Sequence, residues 1–255
     1  MSACSASLAT LSRHEQIEQL RSRIAAVPGR VGSVVPVDSP GPGDVSEERS
    51  AEAEKLPVPG PFEAVLPGRR LAKGSILGIT GSRFVLLGLI ASVTAAGGHV
   101  AVVGMPELSL LAVAEMGGEL RRIAVIPDPG PDPVEVAAVL LDGVDLVVLG
   151  MGGTHVSYTR ARALTARARS KKAVLVAVDG QWPQPEIVLE SHVRAYRGLG
   201  RGHGRIRGLS LTMQARGRSF QPRHVAMRLT CTAGRVQWEN EETLADVAPL
   251  KVGAR

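Results

Sequence analysis

Gly74-Ser-Ile-Leu-Gly78-Ile-Thr-Gly81-Ser82-Arg83-Phe84-Val85 opens the part of the chain on which the fold turns. Residues 75–80 read as a short apolar strand, and residues 83–96, rich in Leu, Val, Ile and Ala, read as a helix. The same alternation continues downstream. Residues 99–103 read as an apolar strand, 108–116 as a helix and 123–126 as a strand. Residues 133–141 are a helix with Pro133 suited to its first turn. Residues 144–149 are a strand with almost no polar residue, 157–171 a helix and 173–178 a strand. Strands that are apolar on both faces belong to a parallel sheet covered by helices on both sides.

After Trp182 the pattern changes. Ile187, Leu189, Ser191, Val193 and Ala195 alternate with polar residues, as do Leu209, Leu211, Met213 and Ala215, and then Val225, Met227 and Leu229. Such half-exposed strands, joined by tight turns, are expected to be antiparallel. The expected fold class is α/β, with a mostly parallel sheet flanked by helices and extended by C-terminal antiparallel strands. This domain spans residues 60–238. Ahead of it, residues 1–27 read as an amphipathic N-terminal helix. Ser12 and Glu15 fit a capping box there, and Ile17, Leu20, Ile24 and Val27 share one apolar stripe. Residues 28–59, rich in Pro, Gly, Ser and acids, are expected to be a flexible linker, and residues 239–255 a flexible tail.

Composition narrows the function classes. Aromatic residues make up 3% of the 255-residue chain, which argues against gripping single strands with rows of stacked rings. Two cysteines, Cys4 and Cys231, are too few for a disulfide framework or a thiolate zinc site, and a reducing cytoplasm is the expected setting. No signal peptide is read at the N-terminus, and the most apolar stretch, residues 84–96, is too short to span a bilayer. The net charge of +6 is carried mostly by arginines of the second half, and it is compatible with phosphate contacts as well as with solvated surface.

The glycine segment sits where a phosphate-binding loop would lie, between the first strand and the first helix. The full pattern is G-x-x-x-x-G-K-[ST], in which backbone N–H groups cradle phosphates, Lys reaches the β/γ-phosphates and a hydroxyl holds magnesium. Counted from Gly78, those positions fall on Arg83, Phe84 and Val85. Gly78, Gly81, Ser82 and Arg83 are therefore read as a degenerate phosphate loop with no cofactor expected; the plain alternative is a tight strand-to-helix turn. The acid that would orient magnesium at a strand end is missing too. The 144–149 strand runs into Gly150-Met-Gly-Gly153, and Asp145 lies at its start. Glu107 is placed as a general base would be, with nothing to activate. No catalytic residue and no metal site is expected.

Several pieces, in their order and spacing, resemble one family. They are Leu71-Ala-Lys-Gly-Ser75, the run from Ala95-Ala-Gly-Gly-His99 to Met105, the run from Ile126-Pro-Asp-Pro-Gly130 to Gly150, and Gly198-Leu-Gly-Arg-Gly-His-Gly-Arg-Ile-Arg207. Over residues 56–229 the chain resembles the actinobacterial ImuA-type proteins, the RecA-like members of the ImuA–ImuB mutagenesis cassette. The resemblance implies a RecA-like fold and a cytoplasmic protein that joins the nucleoid when DNA is damaged. It implies a non-catalytic accessory role in SOS-induced mutagenesis and translesion synthesis, beside an ImuB-type polymerase-like partner. Two other readings stand beside it: a basic DNA-binding modulator of RecA filaments, and a nucleotide-binding regulator without hydrolysis. RecA-type proteins hold DNA on long loops after later strands, whereas the matching gaps here, residues 150–156 and 179–185, are short.

The remaining candidates concern contacts. The helix bearing Ile17, Leu20 and Ile24 is expected to mediate self-association or partner docking. Arg160 and Arg167 on the 157–171 helix, and Arg201, Arg205 and Arg207 in a glycine-rich basic loop, are candidate contacts to weakly bound DNA or to a partner. Trp182 is expected to cap the sheet at a strand end.

Overall fold

The computed structural model describes residues 55–200 and 203–241. The expected helix at Ile17, Leu20 and Ile24 lies outside the described residues. The folded unit starts at Lys55, inside the stretch expected as linker: β1 (Lys55–Leu56) pairs with β2 (Leu71–Ala72). Two short 3-10 turns lie between them and bury Phe62, Val65 and Leu66.

The main sheet has nine strands in the order β11-β10-β9-β8-β3-β7-β6-β4-β5. Its parallel part is built from β3 (Ile76–Gly81), β4 (Val100–Val103), β5 (Ile123–Ile126), β6 (Leu146–Gly150), β7 (Val174–Val178) and β8 (Ile187–Gly200). Four helices link these strands: α1 (Arg83–Ala95), α2 (Leu110–Glu115), α3 (Pro133–Leu140) and α4 (Tyr158–Lys171). Helices α1 and α2 pack on one face of the sheet, and α3 and α4 on the other. With a helix layer on each side, the interior strands β4 and β7 are dry throughout. Every residue of β4 and β7 is buried, which is why their sequences, Val-Ala-Val-Val and Val-Leu-Val-Ala-Val, contain no polar position.

The antiparallel extension is β9 (His203–Gly217), β10 (Arg223–Thr232) and β11 (Arg235–Asn240). Three expectations are corrected here. The Ile187 strand, β8, runs parallel to β3 and is antiparallel only to β9, because alternation of polar and apolar residues reports half-exposure and not direction. The stretch around Gly198 is paired strand and not loop, with Leu199 opposite Gly204 and Gly200 opposite His203. The domain runs past residue 238 to include β11, whose turn from β10 places Ala233 and Gly234 both at positive φ, as a two-residue hairpin turn requires.

β11 also closes the core. Trp238 meets the Phe62 ring edge to face at a centroid distance of 5.1 Å. Its indole lies over α1 at Gly88, where an added Cβ would stand 2.5 Å from Cζ2. Helix α1 is buried along most of its length, so it has no exposed side toward which it could shift.

At the opposite ends of the strands, Asp145 ties three segments together. Its carboxylate accepts from the His99 N–H at 3.0 Å and pairs with Lys73 Nζ at 3.0 Å. Burial opposes ionisation of this group, but the His99 N–H and the Lys73 ammonium outweigh it and hold the carboxyl below its usual range.

Two outcomes are expected. Gly88→Ala should cost about 1–3 kcal/mol in urea unfolding, and less in a Trp238→Leu background, because the indole is what the methyl meets. Asp145→Asn should cost about 1–2 kcal/mol at neutral pH. The carboxyl's folded pKa is depressed, so its contribution is present above the ordinary Asp value and fades as pH falls. The gap between variant and wild type should therefore close below about pH 4.

Candidate functional site

In an open α/β sheet the ligand crevice lies outside the carboxyl ends of the parallel strands, where successive connections diverge. Here β3 feeds α1, which carries the chain across β7 and β6 to β4. The strand ends converge on a crevice of about 350 Å³ lined by Arg83, Leu87, Met105, Glu107, Gly150 and Asp179, among others.

The β3–α1 junction decides what this crevice can hold. Gly78 lies inside β3, opposite Val188 and Ala177, and takes no part in a loop. The strand runs on to Gly81 and the helix starts at Arg83, so Ser82 alone separates them. Ser82 caps the helix, its side chain accepting from the Phe84 N–H at 3.4 Å. Its own N–H donates to the Ser191 carbonyl oxygen and to Ser191 Oγ, each at 3.0 Å. Gly81 has φ +88°, and a Cβ there would overlap the Ser191 carbonyl oxygen. Strand β8 thus lies against the turn in which a phosphate loop would bulge outward, and it takes the N–H that would face an anion.

The other side of the crevice has no carboxylate at its strand end. Gly150 closes β6, and a Cβ there would come within 2.5 Å of Met105 Cγ and 2.6 Å of the Gly104 carbonyl oxygen. Two glycines press backbone to backbone where a metal-orienting acid would project. Arg83, placed to meet an anion, is ion-paired with Asp179 at the end of β7. Glu107 is exposed. Among the described residues no group of three His, Cys, Asp or Glu side chains is placed to hold a metal ion.

The two short loops expected after β6 and β7 are pinned to each other. The Gly153 N–H donates to the Asp179 carbonyl at 2.6 Å, Gln181 N–H to Thr154 at 3.0 Å and Val156 N–H to Gln181 at 3.3 Å. His155 and Gln181 form an isolated parallel bridge. Trp182 is buried in the core on the α3–α4 face of the sheet, so it presents no exposed contact surface.

The candidate arginines divide into two groups. Arg160 reaches Asp132, the N-cap of α3, at 2.5 Å. Arg167 grips Asp142 with two bonds of 2.9 and 2.8 Å. Each acid is held below its usual pKa range first by its arginine. Both arginines therefore clamp α4 to α3. Arg205 and Arg207 are exposed on β9, near the tip of the β8–β9 hairpin, and Arg201 lies outside the described residues. Sequence reading missed Ser191 and Asp179, which only tertiary packing brings to the junction. It also missed Arg194 and Arg197, for which a signal existed: between Ser191 and Trp238 the chain has ten arginines and no Asp, Glu or Lys.

Comparison with known proteins adds a family. A family model described as the MT3502 N-terminal domain matches residues 64–184. The uncharacterized protein Rv3395c of Mycobacterium tuberculosis is 44% identical over 211 residues, which cover 80% of this chain and 93% of that protein. Among solved structures, the KaiC-like protein PH0186 of Pyrococcus horikoshii shares 10% identity at a TM-score of 0.48, covering 72% of this chain and 97% of that one. The RadB recombinase shares 13% identity at a TM-score of 0.49, covering 69% of this chain and 96% of its own. Both overlaps lie below a TM-score of 0.5, and the fold rests on the strand order and connections given above.

Gly81→Ala should cost about 2–4 kcal/mol in chemical unfolding, because φ at this position and the Ser191 carbonyl both exclude a side chain. A thermal or urea melt of the single variant measures it.

Proposed function

This chain belongs to the family of the mycobacterial protein Rv3395c, and from that premise we propose that it is a RecA-like accessory protein without ATPase activity, acting as adaptor for an ImuB-type polymerase-like protein in damage-induced mutagenesis and translesion synthesis. The observation that carries the reading is the β3–α1 junction. One residue, Ser82, spans it, and its N–H is already bonded to β8. A phosphate-binding loop needs several free backbone N–H groups at this point, a Lys and a hydroxyl. Phe84 and Val85 occupy the last two positions, and Val85 is buried in the core. Restoring the motif residues would not restore the loop, because β8 is in the way.

The adaptor role is supported by the resemblance to ImuA-type proteins, whose quoted segments fall on the α1–β4 passage and on the β5–α3–β6 unit of this fold. With its hydrolytic parts absent, such a domain acts by what its surface binds. Among the described residues no helix is long and apolar enough to cross a membrane.

Two measurements test the reading together. The full chain should co-purify with its cognate ImuB-type protein, and a variant lacking residues 1–30 or 242–255 locates the contact while keeping β11 and Trp238. Magnesium-ATP at millimolar concentration should leave the melting temperature unchanged within about 1 °C, since a ligand bound only by the native state would raise it. Failure to form the complex under any condition sinks the adaptor reading. ATP turnover, or a clear nucleotide-dependent stabilisation, sinks the non-catalytic one.

A further inference from the structure

The outer half of the β8–β9 hairpin stands free of the sheet. β3 pairs with β8 only as far as Ser191, and β10 pairs with β9 only from Gly208 onward. As far as Arg197, β8 lies beside a β9 that is still paired to β10; only beyond Arg197 and Gly208 do β8 and β9 pair with each other alone, with bulges at Val193/Ala195 and Arg197/Leu199. The result is a two-stranded ribbon. At about 3.4 Å per residue its two-stranded part reaches about 10 Å past Arg197. An isolated two-stranded ribbon is marginal in water, and this one has no helix or third strand at its side.

What the ribbon displays is unusual for a solvated surface. In the α/β half of the molecule, many cations are matched by acids: Arg69 with Glu63, Lys73 with Asp145, Arg83 with Asp179, Arg122 with Glu119. On the ribbon this compensation is confined to its root. Arg194, Arg205 and Arg207 are exposed, and among the described residues none has a carboxylate within ion-pair distance. Arg197 alone shares Glu241 at the ribbon's root, at 3.5 Å. Between the cations, Tyr196, Leu199 and Ile206 are each more than half exposed. Clustered arginines repel one another unless an anion lies between them, and the guanidinium fork is shaped to take two oxygens of one phosphate.

We propose that this ribbon is a nucleic-acid-binding arm that enters a groove of double-stranded DNA and holds the phosphate backbone through Arg205 and Arg207, with Arg194 at its root. A two-stranded ribbon fits the width of the major groove. The single exposed aromatic, Tyr196, is too little for a stacking platform, which favours a duplex over a single strand. Affinity comes from phosphates, so binding is independent of sequence and falls steeply with salt. The arm springs from Ser191 beside the β3–α1 junction, but its arginines lie beyond that contact, and the inference stands whether or not an ImuB-type partner binds.

The test is fluorescence anisotropy of the full chain with a labelled duplex of about 20 base pairs and with one of its strands, between about 50 and about 200 mM KCl. The duplex should bind more tightly than the strand. Arg194→Gln/Arg205→Gln/Arg207→Gln should weaken duplex binding at least about tenfold and flatten the log–log salt slope by about 3, close to 0.9 for each phosphate contact removed. The triple variant R69Q/R121Q/R162Q removes the same charge elsewhere and should stay within about twofold of wild type. Unchanged melting temperatures show that all three proteins remain folded. Equal losses in the two triple variants would mean diffuse attraction to net charge and would overturn the proposal. So would preference for the single strand, absence of DNA binding, or competition by polyglutamate as strong as by duplex at equal charge, which would mark the ribbon as a site for an acidic protein.

Discussion

The bifurcated hydrogen bond from the Ser82 N–H to the Ser191 carbonyl and hydroxyl closes the last step of register between β3 and β8. Much of the structure hangs from that step. β3 is the hinge between two halves, with the parallel strands β7, β6, β4 and β5 on one side and, on the other, parallel β8 followed by the antiparallel β9–β11 extension. Because pairing continues to Gly81, the chain must turn into α1 within one residue. Only glycine can take the required φ beside the Ser191 carbonyl. A sheet that is closed at this point is joined across its centre, with a single residue between β3 and α1. The join across the sheet and the one-residue turn are the same geometric fact.

The two halves also differ in how they treat charge. In the α/β half, arginines fasten one element to another: Arg167 holds α4 to the end of α3, and Arg122 joins Glu119 and the Gly97 carbonyl. Such pairs at the surface contribute little stability individually, but they leave the field near neutral. Among the described residues of β8–β11 the arginines have no carboxylate partner, apart from Arg197 and Arg228 around Glu241. Three of these arginines, Arg194, Arg205 and Arg207, stand on the protruding ribbon or at its root, beyond the C-terminal end of β3.

Much of the parallel half was legible because its rules are local. The strand of residues 123–126 matches β5 to the residue, and the helices containing Arg83 and Pro133 begin where their caps, Ser82 and Asp132, dictate. The antiparallel half was read less well. Alternation identified Leu209, Leu211, Met213 and Ala215 as a half-buried strand, and they are buried. It could not give the direction of β8, and the glycines of residues 198–208 disguised two paired strands as a loop. Gly198 is needed there because a side chain would overlap the Arg205 carbonyl across the ribbon, a contact between residues that only pairing brings together.

By itself the sequence determined the α/β class, the apolar strands that must be covered on both faces, and the absence of the lysine and hydroxyl that nucleotide chemistry needs at Phe84 and Val85. Those are properties of residue type and spacing. Tertiary structure alone decided that β8 lies against the Gly81–Ser82 turn, that Arg83 is occupied by Asp179, and that Arg205 and Arg207 stand on an unsupported ribbon while Arg160 and Arg167 serve as clamps. The reason is one of range. Periodicity senses neighbours a few residues apart, whereas Ser82 meets Ser191 and Arg83 meets Asp179 across separations near one hundred residues, set by the order in which strands join the sheet.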